Sequence, residues 1–214
     1  WPPRTARGGG ARSKTPCART HTLSPHAGAS GAAMKNTTAP STPQVATILR
    51  SYDASPAALD AFKTARASAD GTTPENFAAL LAREGHPDDA VEFLARWLPA
   101  RQGVWWCCLA LWDTFRPEPP ASVDAALCAI VRWVEDPSEE NRRAVQTAGN
   151  GLGPRHPVGA LSLAAFWSGG SMSEPGLPEV APPANLSSQV IAAALNMAVH
   201  RQPVGRGQEL CQLF

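Results

Sequence analysis

Five cysteines and five histidines are the side chains best suited to nucleophilic or metal chemistry in this 214-residue chain. The cysteines are Cys17, Cys107, Cys108, Cys128 and Cys211, an odd set with no framework spacing. Cys107 and Cys108 are adjacent, and on a helix neighbouring side chains point about 100° apart. That suits two buried structural thiols better than joint metal ligation, and no CxxC or matching His pair supports a zinc site. A nucleophilic cysteine needs a base beside it and an exposed, electropositive setting. His86, His156 and His200 are available, but nothing in the spacing brings one to a cysteine. His86-Pro87-Asp88-Asp89 offers an imidazole and two carboxylates, although acidic residues in a helix's first turn are what the macrodipole favours anyway. Glu135, Asp136, Glu139 and Glu140 beside Arg142 and Arg143 read as a solvated, charge-paired helix start. No catalytic residue, metal ligand or cofactor site is therefore expected.

Two glycine-rich stretches remain. Gly149-Asn150-Gly151-Leu152-Gly153-Pro154-Arg155 follows a helix instead of a strand and lacks Gly-Lys-Ser/Thr, so it reads as a helix stop and not a phosphate loop. Phe166-Trp167-Ser168-Gly169-Gly170-Ser171 is not a nucleophile elbow, because it is not GxSxG and no strand leads into it. It is expected to end a helix at Trp167 in a flexible turn. Its small residues would let a partner's backbone approach closely, which makes 168–171 the best candidate for a functional loop.

Tryptophan is the other signal. Trp106, Trp112 and Trp133 are expected in the core, since an indole buries a large apolar area. Trp97 and Trp105 stand near Arg96 and Arg101, and Trp and Arg are the types most enriched at energetic centres of interfaces. The expected interaction surface therefore comprises Arg96, Trp97, Arg101 and Trp105 together with Ser168, Gly169, Gly170 and Ser171.

Helices must position these residues. Ser55-Pro56, Thr73-Pro74, His86-Pro87, Leu98-Pro99, Asp136-Pro137 and His156-Pro157 each put proline at the mouth of a helix-like stretch. Proline fits there because the missing N–H would have had no intrahelical partner. Thr73 and Ser122 suit N-caps, and Asp136-Pro137-Ser138-Glu139 resembles a capping box. Val123, Leu127, Ile130, Val131 and Val134 mark one face through 122–135; similar stripes run through 74–84, 87–98 and the stretch near Val190 and Leu195. Further helices are expected at 44–52, 57–67, 138–148 and 158–167. Residues 102–115 are apolar nearly all round and should form the central strut. Short links at Gly85 and Pro99 favour antiparallel neighbours. Residues 168–186 read as a long irregular connection, and no strand is expected.

Residues 1–33 carry five basic residues and no acidic one, which leaves 34–214 with a net charge of about −4. An acidic domain repels nucleic-acid phosphate. No apolar run reaches the roughly 18 residues a spanning helix needs, and no apolar stretch backs the basic N-terminus to make a secretory signal. Neither nucleic acid nor membrane is expected as a partner, and reduced thiols suit a cytoplasm. Residues 1–43 read as a disordered basic and polar segment, with 1–33 upstream of a native start at Met34. The all-α domain spans 44–200, with a loose tail over 201–214.

Three blocks carry a resemblance. Phe93-Leu94-Ala95-Arg96-Trp97-Leu98-Pro99-Ala100-Arg101 leads into Val104-Trp105-Trp106-Cys107; then comes the run from Trp133 to Arg143, and then Ala164 to Ser171. Over roughly 75–200 the chain resembles a bacterial family catalogued as domain of unknown function number 6931. The resemblance implies an α-helical bacterial protein and brings no activity or catalytic residues. The expectation is a single compact, orthogonal or bundle-like all-α domain around a buried Trp-rich helix. Its expected role is that of a non-enzymatic module for another protein: an adaptor or chaperone, of the kind that accompanies secretion or signalling. The alternative is a small-molecule-binding protein or unusual hydrolase, with a pocket between helices that uses His86, Ser168 or Cys107.

Overall fold

The computed structural model describes residues 42–67 and 72–199. Every regular element among them is helical: α1 Thr42–Leu49, α2 Pro56–Ala67, α3 Pro74–Arg83, α4 Pro87–Trp97, α5 Ala100–Phe115, α6 Ala121–Glu135, α7 Glu139–Asn150, α8 Pro157–Phe166 and α9 Leu186–Val199. The fold is all-α. Residues 1–41 and 200–214, with the expected native start at Met34 and the loose tail, lie outside the described residues.

Proline sets several of these starts. Pro74, Pro87 and Pro157 begin their helices, and Thr73 caps α3 by accepting from the Asn76 N–H. Two expected caps fall elsewhere. Ser122 lies inside α6, whose N-cap position is Pro120. Ser138 caps α7 by accepting from the Asn141 N–H, while the Asp136 carboxylate takes the Asn141 side-chain amide at 2.9 Å. The cap thus falls two residues past Asp136, at Ser138, and Asp136 supports it from outside the helix.

One core runs through the helices, with Phe77, Phe93, Leu111, Leu127, Ile130, Leu161 and Leu195 fully buried. Trp106 and Trp133 belong to it, and Trp112 packs against it half-buried. The most enclosed element is α8, not the 102–115 helix expected as the strut. Nine of its ten residues are buried, whereas α5 exposes Arg101, Gln102, Leu109 and Asp113. Helix α8 is built from small apolar residues, so α5, α6, α7 and α9 all pack onto it. The approach of α7 is close. A Cβ on Gly159 would fall 2.1 Å from the Gly153 carbonyl oxygen, and one on Gly149 would fall 2.3 Å from Ser162 Cβ. Gly149 therefore has a packing role inside α7, and the left-handed residue of the stop is Gly153 at φ +74°.

Across Gly85, α3 and α4 pack side by side as expected. Across Pro99, α4 and α5 touch little, because Leu98 and Pro99 are both extended and turn the chain through a corner.

Candidate functional site

The corner at Pro99 places the start of α5 against the end of α6. Pro99 offers α5 no side-chain cap. Arg101, exposed on the first turn, donates from Nε to the Val134 carbonyl at 2.6 Å and from a terminal nitrogen to the Glu135 carbonyl at 3.3 Å. A guanidinium there satisfies carbonyls that α6 leaves unpaired and complements the negative end of its dipole.

Beside this junction, α7 turns Arg142 inward. The residue is 4% exposed. Its guanidinium forms a fork with the Glu139 carboxylate, Nε to Oε2 at 2.6 Å and Nη2 to Oε1 at 2.8 Å. Nη1 donates to the Phe166 carbonyl at the end of α8, and Nη2 donates to the Ser171 carbonyl at 2.8 Å. The cation lies 4.4 Å from the centre of the Phe166 ring. Arg143 joins from the rim, pairing with Glu139 at 2.6 Å and donating to the Ser173 carbonyl at 2.8 Å. Hydrogen bonds from both arginines, Arg142 first, hold the Glu139 carboxyl below its ordinary pKa. Gly170 sits at φ +64°, where a Cβ would meet the Arg142 guanidinium at 2.8–3.0 Å. Only glycine lets the chain pass so close to the cation in that conformation.

The result is a cleft of about 310 Å³. Ala100 and Arg101 wall it from α5, Trp133 from α6, and Pro137, Glu139 and Arg142 from the start of α7; residues 168–170 close it. Its polar groups are two guanidiniums, one carboxylate and the first turn of α5, so the balance is cationic. Such a site can hold a carboxylate or a backbone carbonyl against an apolar wall.

The structure thus brings Arg101 together with Ser168, Gly169 and Gly170, while Ser171 anchors the loop by its carbonyl. It does not bring Arg96, Trp97 or Trp105 to that cleft. Trp97 and Trp105 pack half-buried against the core. The Arg96 side chain is 7% exposed and paired with Glu92. It lies 4.7 Å from the centre of the Tyr52 ring, which places it under the α1–α2 link and away from the surface.

The hydrolase residues do not converge. Cys107 is fully buried, and burial holds its thiol well above the ordinary range, while the Cys108 thiol is pushed up to about 12 by the same cause. Neither is a nucleophile at neutral pH. The Ser168 hydroxyl donates to the Ala165 carbonyl at 2.7 Å, so it continues the end of α8. His86 stands at the N-cap of α4 and lines neither this cleft nor the second one, which Trp112, Pro117 and Leu127 help to form. Among the described residues no three His, Cys, Asp or Glu side chains are grouped to hold a metal ion.

Sequence reasoning missed Arg142, taking it with Glu139 and Arg143 for a solvated helix start. A signal was present: Arg142, Val145 and Gly149 recur at helical spacing and are the buried residues of α7. Arg142 thus stands on the inward stripe and Arg143 beside it.

The family model for the Family of unknown function (DUF6931) matches residues 77–214. The chain belongs to that family. The match begins inside α3 and takes in every residue of the cleft and its loop. No curated protein and no solved structure matches the chain. Among the described residues, no helix of this DUF6931 protein is long and apolar enough to cross a membrane.

Proposed function

We propose that this chain is a non-enzymatic protein-interaction module of the bacterial cytoplasm, adaptor- or chaperone-like, whose contact face is the cleft between Arg101 and the 168–171 loop. One observation carries the reading. A nearly buried arginine holds a half-buried Gly-rich loop beside a cationic, partly apolar recess. Ordering such a loop costs conformational entropy that the core does not require. A loop fixed in advance lowers the entropy lost when a partner binds.

The test is capture from a lysate of the source cell with tagged chain, beside a Gly169→Trp variant. Gly169 lines the cleft and a Cβ there meets nothing within 4 Å, so an indole is the bulk chosen to obstruct it, with folding of the variant checked first. One protein held stoichiometrically by the parent and lost by the folded variant supports the reading. A partner retained equally by both, or none, removes it.

A further inference from the structure

The segment that follows the cleft wall is built as a displayed knob. The Ser171 hydroxyl oxygen accepts from the N–H groups of Ser173 at 3.1 Å and Val180 at 3.0 Å, and the Met172 N–H donates to the Val180 carbonyl at 2.8 Å. These bonds close residues 172–180 into a loop whose two ends meet. At its tip the Leu177 N–H donates to the Glu174 carbonyl at 3.1 Å, with Pro175 and Gly176 between them and Gly176 at φ +89°. Proline then a left-handed glycine is the signature of a type II turn, a rigid way to present the residue after it. That residue is Leu177, 60% exposed, and Val180 is 48% exposed. Both exceed Leu59 and Leu109, the other exposed large hydrophobics among the described residues. Glu174 and Glu179 flank the leucine, and the stretch 171–185 contains no basic residue.

An acidic, apolar knob is therefore joined through Ser171 to the wall of a cationic, apolar recess. We propose that the occupant of the cleft is the 172–180 loop of a second copy of this chain, the two copies exchanging loops reciprocally about a twofold axis. This rests on the cleft being the contact face and goes further by naming the partner. A twofold interface must be self-complementary, with knob and hole in one patch. Here they share a strand of backbone, since residues 168–170 wall the cleft and Ser171 closes the loop. Leu177 would enter beside Trp133 and Pro137, and Glu174 and Glu179 would face Arg101 and the first turn of α5, where charge and dipole are favourable. In the single chain no residue of 172–180 lines the cleft.

Sedimentation of the full chain from micromolar to sub-millimolar concentration tests this, beside charge-reversed variants. The parent is expected to show a concentration-dependent dimer that weakens with salt. Leu177→Asp, at an exposed site, should keep its thermal stability and raise the dimer dissociation constant roughly tenfold or more. Arg101→Glu alone and Glu174→Arg with Glu179→Arg alone should each be monomeric. Mixed, they should pair, because both contacts of the mixed dimer regain opposite charges. A parent monomeric throughout, a dimer unaffected by Leu177→Asp, or variants that fail to pair when mixed would overturn the proposal. If Arg101→Glu does not fold, the Leu177→Asp result alone decides. A monomeric parent that still captures a different protein through the cleft would leave the module reading standing and this one refuted.

Discussion

Replacing Arg142 by methionine keeps most of the aliphatic volume and removes the guanidinium that holds the loop. Two carbonyls lose a charged donor. Phe166 is buried at the end of α8, and Ser171 keeps only the longer bond from Arg143 at 3.5 Å. Hydrogen bonds to a charged group are worth about 1.5–3 kcal/mol each. The stacking on Phe166 adds roughly 1 kcal/mol. Against this, the guanidinium no longer has to be desolvated, a cost of several kcal/mol for an ion in a protein interior. Glu139 is 55% exposed and can be solvated once its partner leaves, so no buried charge is stranded. The net expectation is a loss of about 2–4 kcal/mol, or roughly 5–15 °C in melting temperature for a domain of this size. The loop should suffer more than the core. Cleavage by a glutamate-specific protease at the Glu179–Val180 bond should accelerate by a larger factor than global unfolding explains, since proteolysis follows the population of the locally open state. Arg143→Met, at the rim, should loosen the loop while shifting the melting temperature little. Unchanged stability and unchanged loop cleavage in Arg142→Met would refute the reasoning, because the cation would then be a bystander.

Other expectations follow from the same geometry. Gly159→Ala should cost about 3 kcal/mol or more by chemical denaturation, since its Cβ would meet backbone, which cannot yield as a side chain tip can. Tyr52→Phe should be neutral or stabilising by roughly 1 kcal/mol, because the hydroxyl is buried and has no hydrogen-bond partner among the described residues; a clear loss would mean the hydroxyl is satisfied. The lowered pKa of Glu139 makes its pairing with Arg142 and Arg143 favour the fold above the ordinary glutamate range, and that contribution disappears as pH falls through the lowered value. Loop protease sensitivity, measured with an acid-active protease, should therefore rise below about pH 4.5 and do so less in Glu139→Gln.

Sequence and structure agree where local physics decides. The stripe Val123, Leu127 and Ile130 lies buried on α6, and proline at 74, 87 and 157 opens a helix. They part where the same letters serve two environments. Glu139-Glu140-Asn141-Arg142-Arg143 has the composition of a solvated first turn, and only the packing of α8 and its loop against α7 buries one arginine of the pair. Helix α8 is central because Gly159, Ala160, Ser162, Ala164 and Ala165 are small enough to be surrounded, whereas Trp-rich α5 drew attention through bulk. Arg96 looked like an interface arginine until Tyr52 and Glu92, from other turns, covered it. The cleft joins positions 101, 133, 142 and 170, so its existence depends on tertiary contacts that no local pattern encodes.

The most direct test of the cleft as contact face is amide hydrogen exchange of the chain, alone and with its bound partner or in its associated form. Slowed exchange is expected at residues 168–180 and the first turns of α5 and α7, with α2 and α3 unchanged. Protection concentrated on α2 and α3, with residues 168–180 exchanging as fast as in the free chain, would contradict it.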